Sequence, residues 1–265
     1  MSEHPIAARF RVLRQEGRAA LIPYFTGGYP TPDACVDALR RAEAAGADLV
    51  EVGVPFSDPL ADGPTIQRSS QTALEQGVDA RAVLDIVRRA ALRVPVVLMT
   101  YLNPVLAYGV ERLVSDAHAA GVSGLLLTDL PAGADPTLER RVREGPLALI
   151  RLVAPTTSPE RLHGAVRDAT GFVYLISRLG VTGTRPAVPS DLEAQVARVR
   201  AATSLPVAVG FGLSTADQAA RTARTADGVV VGSAVVEALG SAGPAGAQTV
   251  IRELAAAVRG ARGAP

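Results

Sequence analysis

The chain has 265 residues, of which 48% are hydrophobic and 20% are charged, and its net charge is +1. This size and balance suit one large α/β domain, and the near-zero charge gives no reason to expect binding to nucleic acid or membrane. No apolar run approaches the roughly 18 residues of a membrane span. The single cysteine excludes an intrachain disulfide, which fits a cytoplasmic protein. Lysine is absent, so an aldolase mechanism through a lysine Schiff base is excluded.

Residues 4–17 have an amphipathic pattern typical of a helix, and strand and helix patterns alternate after it. Segments rich in Ala, Arg and Glu, such as 34–45 and 80–92, show helical spacing between the strands. The strands are nearly all apolar, as expected of a parallel sheet that is covered on both faces. Residues 241–246 should interrupt the last helical region. The eight short apolar runs begin near Ala20, Asp48, Val96, Ser123, Leu147, Phe172, Val207 and Gly228.

Eight strand-and-helix units predict one α/β domain over residues 1–265, a single (β/α)8 TIM barrel. The N-terminal helix and the segment 64–77 would add an extra N-terminal helix and short helices to that barrel. An open doubly wound sheet is the alternative fold. In a barrel, functional residues lie where the strands end and the following loops begin.

Glu51 stands inside the second strand, between Val50 and Val52. A carboxylate at such a position is costly unless it is functional or paired. Burial would raise its pKa and suit it to general acid–base catalysis. The alternative is a structural ion pair with an arginine. Asp58 and Asp62 follow in a loop rich in Pro and Gly, where aspartate is also an ordinary turn residue.

Glycines follow the last three strands of the predicted barrel. Gly183 comes after the sixth strand, Gly212 after the seventh, and Gly232 with Ser233 after the eighth. Barrels commonly bind phosphate at this place through backbone N–H groups and a helix N-terminus. Each glycine alone would be explained by a tight turn. Together they predict a phosphate site.

Tyr174 lies in the sixth strand, where its hydroxyl either faces the site or packs inside the barrel. The run 179–189 contains two glycines and two prolines. It is either a lid that excludes water from the site or an ordinary connector. The histidines, His4, His118 and His163, are scattered, so the sequence predicts neither a metal site nor a histidine-based triad.

Five motifs occur in order along nearly the whole chain. They are residues 51–67 (EVGVPFSDPLADGPTIQ), 98–104 (LMTYLNP), 174–183 (YLISRLGVTG), 210–213 (GFGL) and 231–234 (VGSA). Together they closely resemble the signature of the tryptophan synthase alpha subunit family. The first motif is long and specific, unlike a lone glycine pattern.

The resemblance implies a retro-aldol cleavage of indole-3-glycerol phosphate to indole and glyceraldehyde 3-phosphate. It implies that Glu51 is the general acid–base, that Asp62 stabilises positive charge on the indole nitrogen, and that Tyr174 lies beside the substrate. The remaining matched positions are the phosphate contacts Gly183, Gly212, Gly232 and Ser233, the lid residue Thr182, and the indole-pocket walls Tyr24, Met99, Leu126 and Phe211.

This chemistry requires no metal, imine or organic cofactor in the chain. One carboxyl with a raised pKa can protonate indole C3 and then accept the glyceryl hydroxyl proton. The lack of lysine fits this reaction. It also argues against indole-glycerol phosphate synthase, a similar barrel that depends on lysines.

The resemblance further implies a complex of two alpha and two beta chains. Pyridoxal phosphate is then expected only in the partner beta subunit, which receives the indole. Asp58 changes, on this interpretation, from a candidate catalyst to a partner contact. The positions that match the partner interface are Pro55, Asp58, Pro59, Asn103 and Pro131.

Arg151 departs from the family pattern, because an apolar residue is usual at this point of the fifth strand. Three other functions stay open. A stand-alone lyase would release free indole, and the effect of a beta subunit would distinguish it. A non-catalytic activator of the beta subunit conflicts with the intact Glu51 and Asp62. A sugar-phosphate isomerase lacks its usual lysine or histidine partners.

Overall fold

The structure is a computed structural model that describes residues 3–176, 189–210 and 212–262. Its eight strands are β1 (Ala20–Thr26), β2 (Val50–Gly53), β3 (Val96–Thr100), β4 (Val122–Leu127), β5 (Ala148–Val153), β6 (Val173–Ile176), β7 (Val207–Gly210) and β8 (Gly228–Val231). They are parallel and form a closed barrel in chain order, in which β8 pairs with β1. This closure confirms the predicted (β/α)8 barrel and excludes the open sheet.

Eleven helices lie within the described residues. They are α1 (Pro5–Gln15), α2 (Pro32–Ala45), α3 (Pro64–Glu75), α4 (Ala80–Ala90), α5 (Leu102–Tyr108), α6 (Val110–Ala119), α7 (Pro136–Glu144), α8 (Pro159–Val166), α9 (Leu192–Ala202), α10 (Ala216–Thr225) and α11 (Ser233–Gly260). Two additions to the simple barrel were predicted and are present, namely the N-terminal helix α1 and helix α3 within the segment 64–77. Helix α5 is a further short helix. None of the described helices is long and apolar enough to cross a membrane.

Helix α11 is interrupted at Gly243, whose φ of 65° and ψ of −167° are not helical. Glycine tolerates a positive φ, and the following Pro244 has no backbone N–H to continue the hydrogen-bond ladder. The break lies inside the predicted segment 241–246, which confirms that expectation. Physically, α11 is two helices joined at a kink.

Helix α1 packs against the N-terminal ends of the strands. Its apolar face buries Ile6, Phe10 and Leu13, and the ring of Phe10 lies 5.7 Å from the ring of Phe172 just before β6. Ile6 also contacts the backbone near Gly124 of β4. The helix therefore covers one end of the barrel and leaves the opposite end, where the strands finish, for the loops.

Asp48 is a buried carboxylate at the end of the barrel that α1 covers. It is 1% exposed, and its two oxygens accept hydrogen bonds from Arg18 at 2.9 and 3.0 Å and from the backbone N–H of Leu21 at 2.9 Å. Arg9 of α1 also contacts it. The charge is thus fully compensated, and the contacts join α1, β1 and the start of β2.

Arg151 of β5, which departs from the family pattern, is only 4% exposed. It forms an ion pair with Glu139 of α7, which is equally buried. A charged residue is tolerated at this position because a second charge from the helix layer meets it.

Candidate active site

A narrow cavity of about 40 Å³ opens at the end of the barrel where the strands finish. Its described walls are Tyr24, Glu51, Asp62, Ile66, Met99, Tyr174, Gly212, Val230, Gly232 and Ser233. The cavity thus brings together all three predicted catalytic residues with predicted pocket and phosphate residues from distant parts of the chain. Ile66 and Val230 are walls that the sequence analysis did not single out.

Glu51 projects from β2 into this cavity. It is 2% exposed, and within the described residues its Oε1 atom has no hydrogen-bond partner. Burial, and next the negative charge of Asp62, raise the pKa of Glu51 to about 8. The carboxyl is therefore mostly protonated at neutral pH and can donate a proton. No ion pair joins it to a described arginine, which disfavours a purely structural role.

Asp62 lies in the loop between β2 and α3, and it is 5% exposed. Its Oδ2 accepts a hydrogen bond of 3.0 Å from the hydroxyl of Tyr101. Burial raises the pKa of Asp62 to about 6, and the Tyr101 hydrogen bond acts in the opposite direction. Gln67 donates to the Asp62 carbonyl at 2.8 Å and so fixes the loop backbone.

The two carboxyl groups are held in different protonation states. Between pH values of about 6 and about 8, Glu51 is mostly protonated and Asp62 is mostly ionised. A proton donor next to a fixed negative charge is the arrangement that acid–base chemistry on a cationic intermediate needs.

Tyr101 is a site residue that sequence reasoning missed, although it lies in the motif at residues 98–104. It directly follows β3, is 3% exposed, and donates to Asp62. Its hydroxyl also accepts the backbone N–H of Ala61 at 3.0 Å. Burial, and next the charge of Asp62, raise the pKa of Tyr101, so the neutral phenol is the donor. The available signal was its position at the end of a strand.

Tyr24 and Tyr174 occupy equivalent positions in two pairs of neighbouring strands. Tyr24 is opposite Glu51, and its hydroxyl lies against Gly53, two residues further on. Tyr174 is opposite Ala208, and its hydroxyl lies against Gly210, again two residues further on. A Cβ atom on either glycine would overlap the tyrosine hydroxyl. Glycine at these positions lets the rings lean across the neighbouring strand beside the cavity.

Both tyrosines are neutral at the site. Burial is the main cause that raises the pKa of each hydroxyl well above its usual value of 10.0. The next cause is Asp62 for Tyr24 and Glu51 for Tyr174. The two rings therefore supply apolar surface, and their hydroxyl groups stay uncharged.

Three of the four predicted phosphate residues line this cavity, and two of them, Gly232 and Ser233, form the N-terminus of α11. Gly232 is its N-cap, and Ser233, 6% exposed, begins the helix. The first N–H groups of a helix lack partners within it, and the helix dipole favours an anion there. Gly212, with a φ of 80°, is in the left-handed region that favours glycine. It lines the same cavity.

Some predicted residues lie outside the described part of the chain. These are Thr182, Gly183 and Phe211, together with the lid candidate as far as residue 188. Leu126 is fully buried in the cluster that fills the barrel interior, beside Met99, but it is not among the described walls of the cavity. Its role in an indole pocket stays a prediction.

The predicted partner contacts lie away from the cavity walls. Asp58, Asn103 and Pro131 are exposed, Pro59 is partly exposed, and Pro55 is buried in this isolated chain. The Ser57 hydroxyl donates to Asp58 at 2.5 Å. Asp58 is thus not part of the catalytic group. Within the described residues, no cluster of three or more His, Cys, Asp or Glu side chains could hold a metal ion.

Comparison with known proteins places this geometry in a family. The family model "Tryptophan synthase alpha chain" matches residues 10–263. The tryptophan synthase alpha chain of Acidiphilium cryptum (strain JF-5) is 48% identical, with 97% of this chain and 98% of the relative covered. That of Gluconobacter oxydans (strain 621H) is 46% identical, with 96% and 98% covered.

Solved structures agree with the sequence relatives. A chain of Mycobacterium tuberculosis tryptophan synthase superposes with a TM-score of 0.90 at 42% identity, and 97% of this chain and 99% of that chain are covered. Tryptophan synthase subunit alpha from Legionella pneumophila str. Paris gives a TM-score of 0.88 at 32% identity, with 97% and 99% covered. The chain belongs to the tryptophan synthase alpha chain family.

Proposed function

We propose that Glu51 and Asp62 carry the chemistry of this family's reaction, in which Glu51 moves the protons and Asp62 stabilises the charge. The chain is a carbon–carbon lyase that cleaves indole-3-glycerol phosphate to indole and glyceraldehyde 3-phosphate. The observation that supports these roles is the contrast between the two carboxyl groups. Glu51 has a pKa of about 8, whereas Asp62 has a pKa of about 6.

The proton transfers balance with Glu51 alone. Protonated Glu51 gives its proton to indole C3, which converts the ring to an indolenine cation. The Glu51 carboxylate then accepts the proton of the glyceryl hydroxyl next to the bond that breaks. The oxygen forms the carbonyl of glyceraldehyde 3-phosphate, and the electrons of the broken carbon–carbon bond return to the indole ring. Glu51 ends protonated, as it began.

Asp62 acts on the charge that appears only after C3 is protonated. The positive charge of the indolenine is centred on the ring nitrogen, and an ionised carboxylate beside it stabilises the transition state more than the neutral substrate. Tyr101 supports this role because its hydrogen bond lowers the pKa of Asp62. The carboxylate is thereby kept ionised at neutral pH.

The rest of the cavity would bind and orient the substrate. We infer that Gly212, Gly232 and Ser233, together with Gly183, bind the phosphate group through backbone N–H groups and the N-terminus of α11. The indole ring would lie against apolar walls. The proposed contacts of the ring are Tyr24, Met99, Leu126, Tyr174 and Phe211, and Thr182 is the proposed lid residue.

We also propose that the chain works with a pyridoxal-phosphate beta subunit in the cytoplasm, as two alpha and two beta chains, and passes indole to it. The support is that several predicted contacts are exposed, namely Asp58, Asn103 and Pro131. Two large apolar side chains near them are also exposed: Leu60 is 85% and Leu106 is 53% exposed.

An indole-release assay on indole-3-glycerol phosphate, with and without the beta subunit of a relative, tests the proposal. We expect slow release by the chain alone and a large increase when the beta subunit is added. The Glu51→Gln variant is the matched control and should be inactive in both conditions. Rapid release that ignores the beta subunit would instead identify a stand-alone lyase. Equal activity of the control variant would overturn the assignment of Glu51.

A further inference from the structure

We propose that the buried Arg151–Glu139 ion pair is a positioning device, which holds the loop between β4 and α7 in the shape that binds the partner subunit. This loop, residues 128–135, carries the predicted partner contact Pro131, so the inference rests on the proposed function. Neither charged residue lines the cavity that contains Glu51. The pair is therefore assigned to partner binding and not to chemistry.

Both members of the pair hold the backbone of this same loop. Arg151 Nη2 lies 2.5 Å from Glu139 Oε2, although not at a hydrogen-bonding angle. From the strand side, Arg151 Nη1 donates to the carbonyl of Leu130 at 3.4 Å. From the helix side, Glu139 Oε1 accepts the N–H of Gly133 at 2.8 Å. The loop segment that includes Pro131 is thus fastened at both sides by one ion pair.

The packing beneath the loop is incomplete. Leu130 is buried in the main hydrophobic cluster, but a cavity of about 160 Å³ is lined by residues 127–132 of the loop region and by Arg151 and Leu152 of β5. Within the described residues, the Nε atom of Arg151 has no hydrogen-bond partner. Close packing normally fixes a segment in one conformation. Where it is incomplete, polar contacts such as those of Arg151 and Glu139 contribute to holding the loop in place.

The positioned loop also reaches the second predicted contact region. Asp129 Oδ1 accepts the backbone N–H of Leu102 at 2.7 Å, next to Asn103 at the start of α5. The backbone N–H of Thr128 donates to the carbonyl of Thr100 at 3.0 Å. Asn103 and Pro131 are both exposed. These bonds join the loop that the ion pair holds to the start of α5, so that the two predicted contact regions would meet the partner together.

Stability alone is a poor explanation of this pair. Replacing a buried ion pair by apolar residues of similar volume is often neutral or stabilising, because both charges must be removed from water on folding. Removing one member alone leaves an unpaired buried charge and is strongly destabilising. A test must therefore remove both charges together, so that the fold survives and the loop contacts are lost.

Two double variants separate the loop contacts from the charges. Arg151→Met with Glu139→Leu removes both polar contacts that the ion pair makes to the loop, at Leu130 and at Gly133. Arg151→Met with Glu139→Gln removes the same charges, but the glutamine oxygen can still accept the N–H of Gly133. The measurements are the melting temperature, kcat and KM for indole release by the chain alone, and the Kd for the beta subunit from titration of the activity increase.

We expect both double variants to melt near the wild type, with kcat and KM of the chain alone within about twofold. The Kd for the beta subunit should rise by about tenfold or more in the Met/Leu variant. The rise should be smaller in the Met/Gln variant, which retains one loop contact. Arg141→Met on the same helix is the control, because it removes an exposed ion pair with Glu111. It should leave the Kd unchanged.

The outcomes separate this inference from the function on which it rests. Double variants that fold and bind the beta subunit as tightly as the wild type would overturn the positioning role. Equal losses of basal activity and partner affinity would also overturn it, because they would indicate a general distortion of the barrel. If the wild type itself fails to bind the beta subunit, the proposed partnership falls, and the inference falls with it.

Discussion

Asp48 and Glu51 are two carboxylates three residues apart, one just before β2 and one within it. They are almost equally buried, at 1% and 2% exposure. Asp48 is held by two arginines and a backbone N–H, whereas Glu51 Oε1 has no hydrogen-bond partner within the described residues. The two residues are alike in burial and differ in compensation. Because no partner compensates Glu51, its proton stays available for the acid–base role that we propose.

The difference follows the two ends of the barrel. At the end covered by α1, the charge of Asp48 is compensated by arginines, and these ion pairs connect α1 to the strands. At the end where strands finish, Glu51 is left beside Asp62, which raises its pKa further. This division agrees with the general rule that the first end of such a barrel serves stability and the second serves catalysis.

Glu51→Gln should have the largest effect and tests the catalytic side of the comparison. The amide cannot transfer a proton, so we expect kcat for indole release to fall by about a thousandfold or more. Substrate binding should persist, because the cavity keeps its shape. Steady-state kinetics and equilibrium binding of indole-3-glycerol phosphate measure the two quantities. Turnover close to that of the wild type would refute the role.

The stability of this same variant should depend on pH less than that of the wild type. The folded-state pKa of Glu51 is about 8, above its ordinary value of 4.5. Between these values the folded state binds more protons than the unfolded state. The contribution of Glu51 to the free energy of unfolding therefore declines as pH rises above about 4.5 and is lost once the pH passes about 8. Urea unfolding at pH 5, 6.5 and 8.5 should show the wild type losing stability relative to Glu51→Gln. If the free energies of unfolding of the wild type and the variant differ by the same amount at all three pH values, the raised pKa of Glu51 is contradicted.

Asp48→Asn is the matched change at the structural end of the barrel. Its effect should be smaller, and it should lower stability rather than activity. It leaves the guanidinium groups of Arg9 and Arg18 without their carboxylate, which should lower the free energy of unfolding by roughly 3 kcal/mol. The kcat of the folded enzyme should stay within about twofold of the wild type. Urea denaturation and indole release measure both. A large loss of kcat with unchanged stability would reverse the comparison.

Tyr101→Phe should give the smallest effect. It should reduce the difference between the pKa values of Glu51 and Asp62. The Tyr101 hydrogen bond lowers the pKa of Asp62, so its loss should raise that pKa and lower kcat by about tenfold. The wild-type profile of kcat/KM should be bell-shaped, with limbs near the pKa values of about 6 and about 8. In the variant the acidic limb should move to higher pH while the alkaline limb stays. An unmoved acidic limb would show that Tyr101 does not control the pKa of Asp62.

Much of the fold was visible in the sequence because it depends on local patterns. The apolar runs predicted the start of each strand to within two residues, the largest difference being Asp48 against Val50. Glu51 was predictable for the same reason, since a charged residue inside an apolar run is conspicuous without any tertiary information. The break near Gly243 was likewise a local signal.

What could not be predicted depends on contacts between distant segments. Tyr101 acquires its role only because the loop after β2 folds across the end of β3 and brings Asp62 within 3.0 Å of its hydroxyl. Arg151 was visible as an anomaly, but its partner Glu139 lies in a helix whose orientation the sequence did not specify. Ile66 joins the cavity because α3 packs over the barrel end. Local periodicity contains none of these distances.

The seating of Tyr24 against Gly53 and of Tyr174 against Gly210 limits how this site can diverge. Since any side chain on either glycine would collide with the tyrosine hydroxyl, neither glycine can change while its tyrosine remains. Loss of the hydroxyl alone would not make room for alanine, because the ring carbon that carries it would still lie 2.7 Å from the added Cβ at either position. Each glycine can therefore change only together with the whole aromatic ring beside it. Among related sequences, we therefore expect residues 24 and 53 to covary, and residues 174 and 210 to covary, as two independent couples.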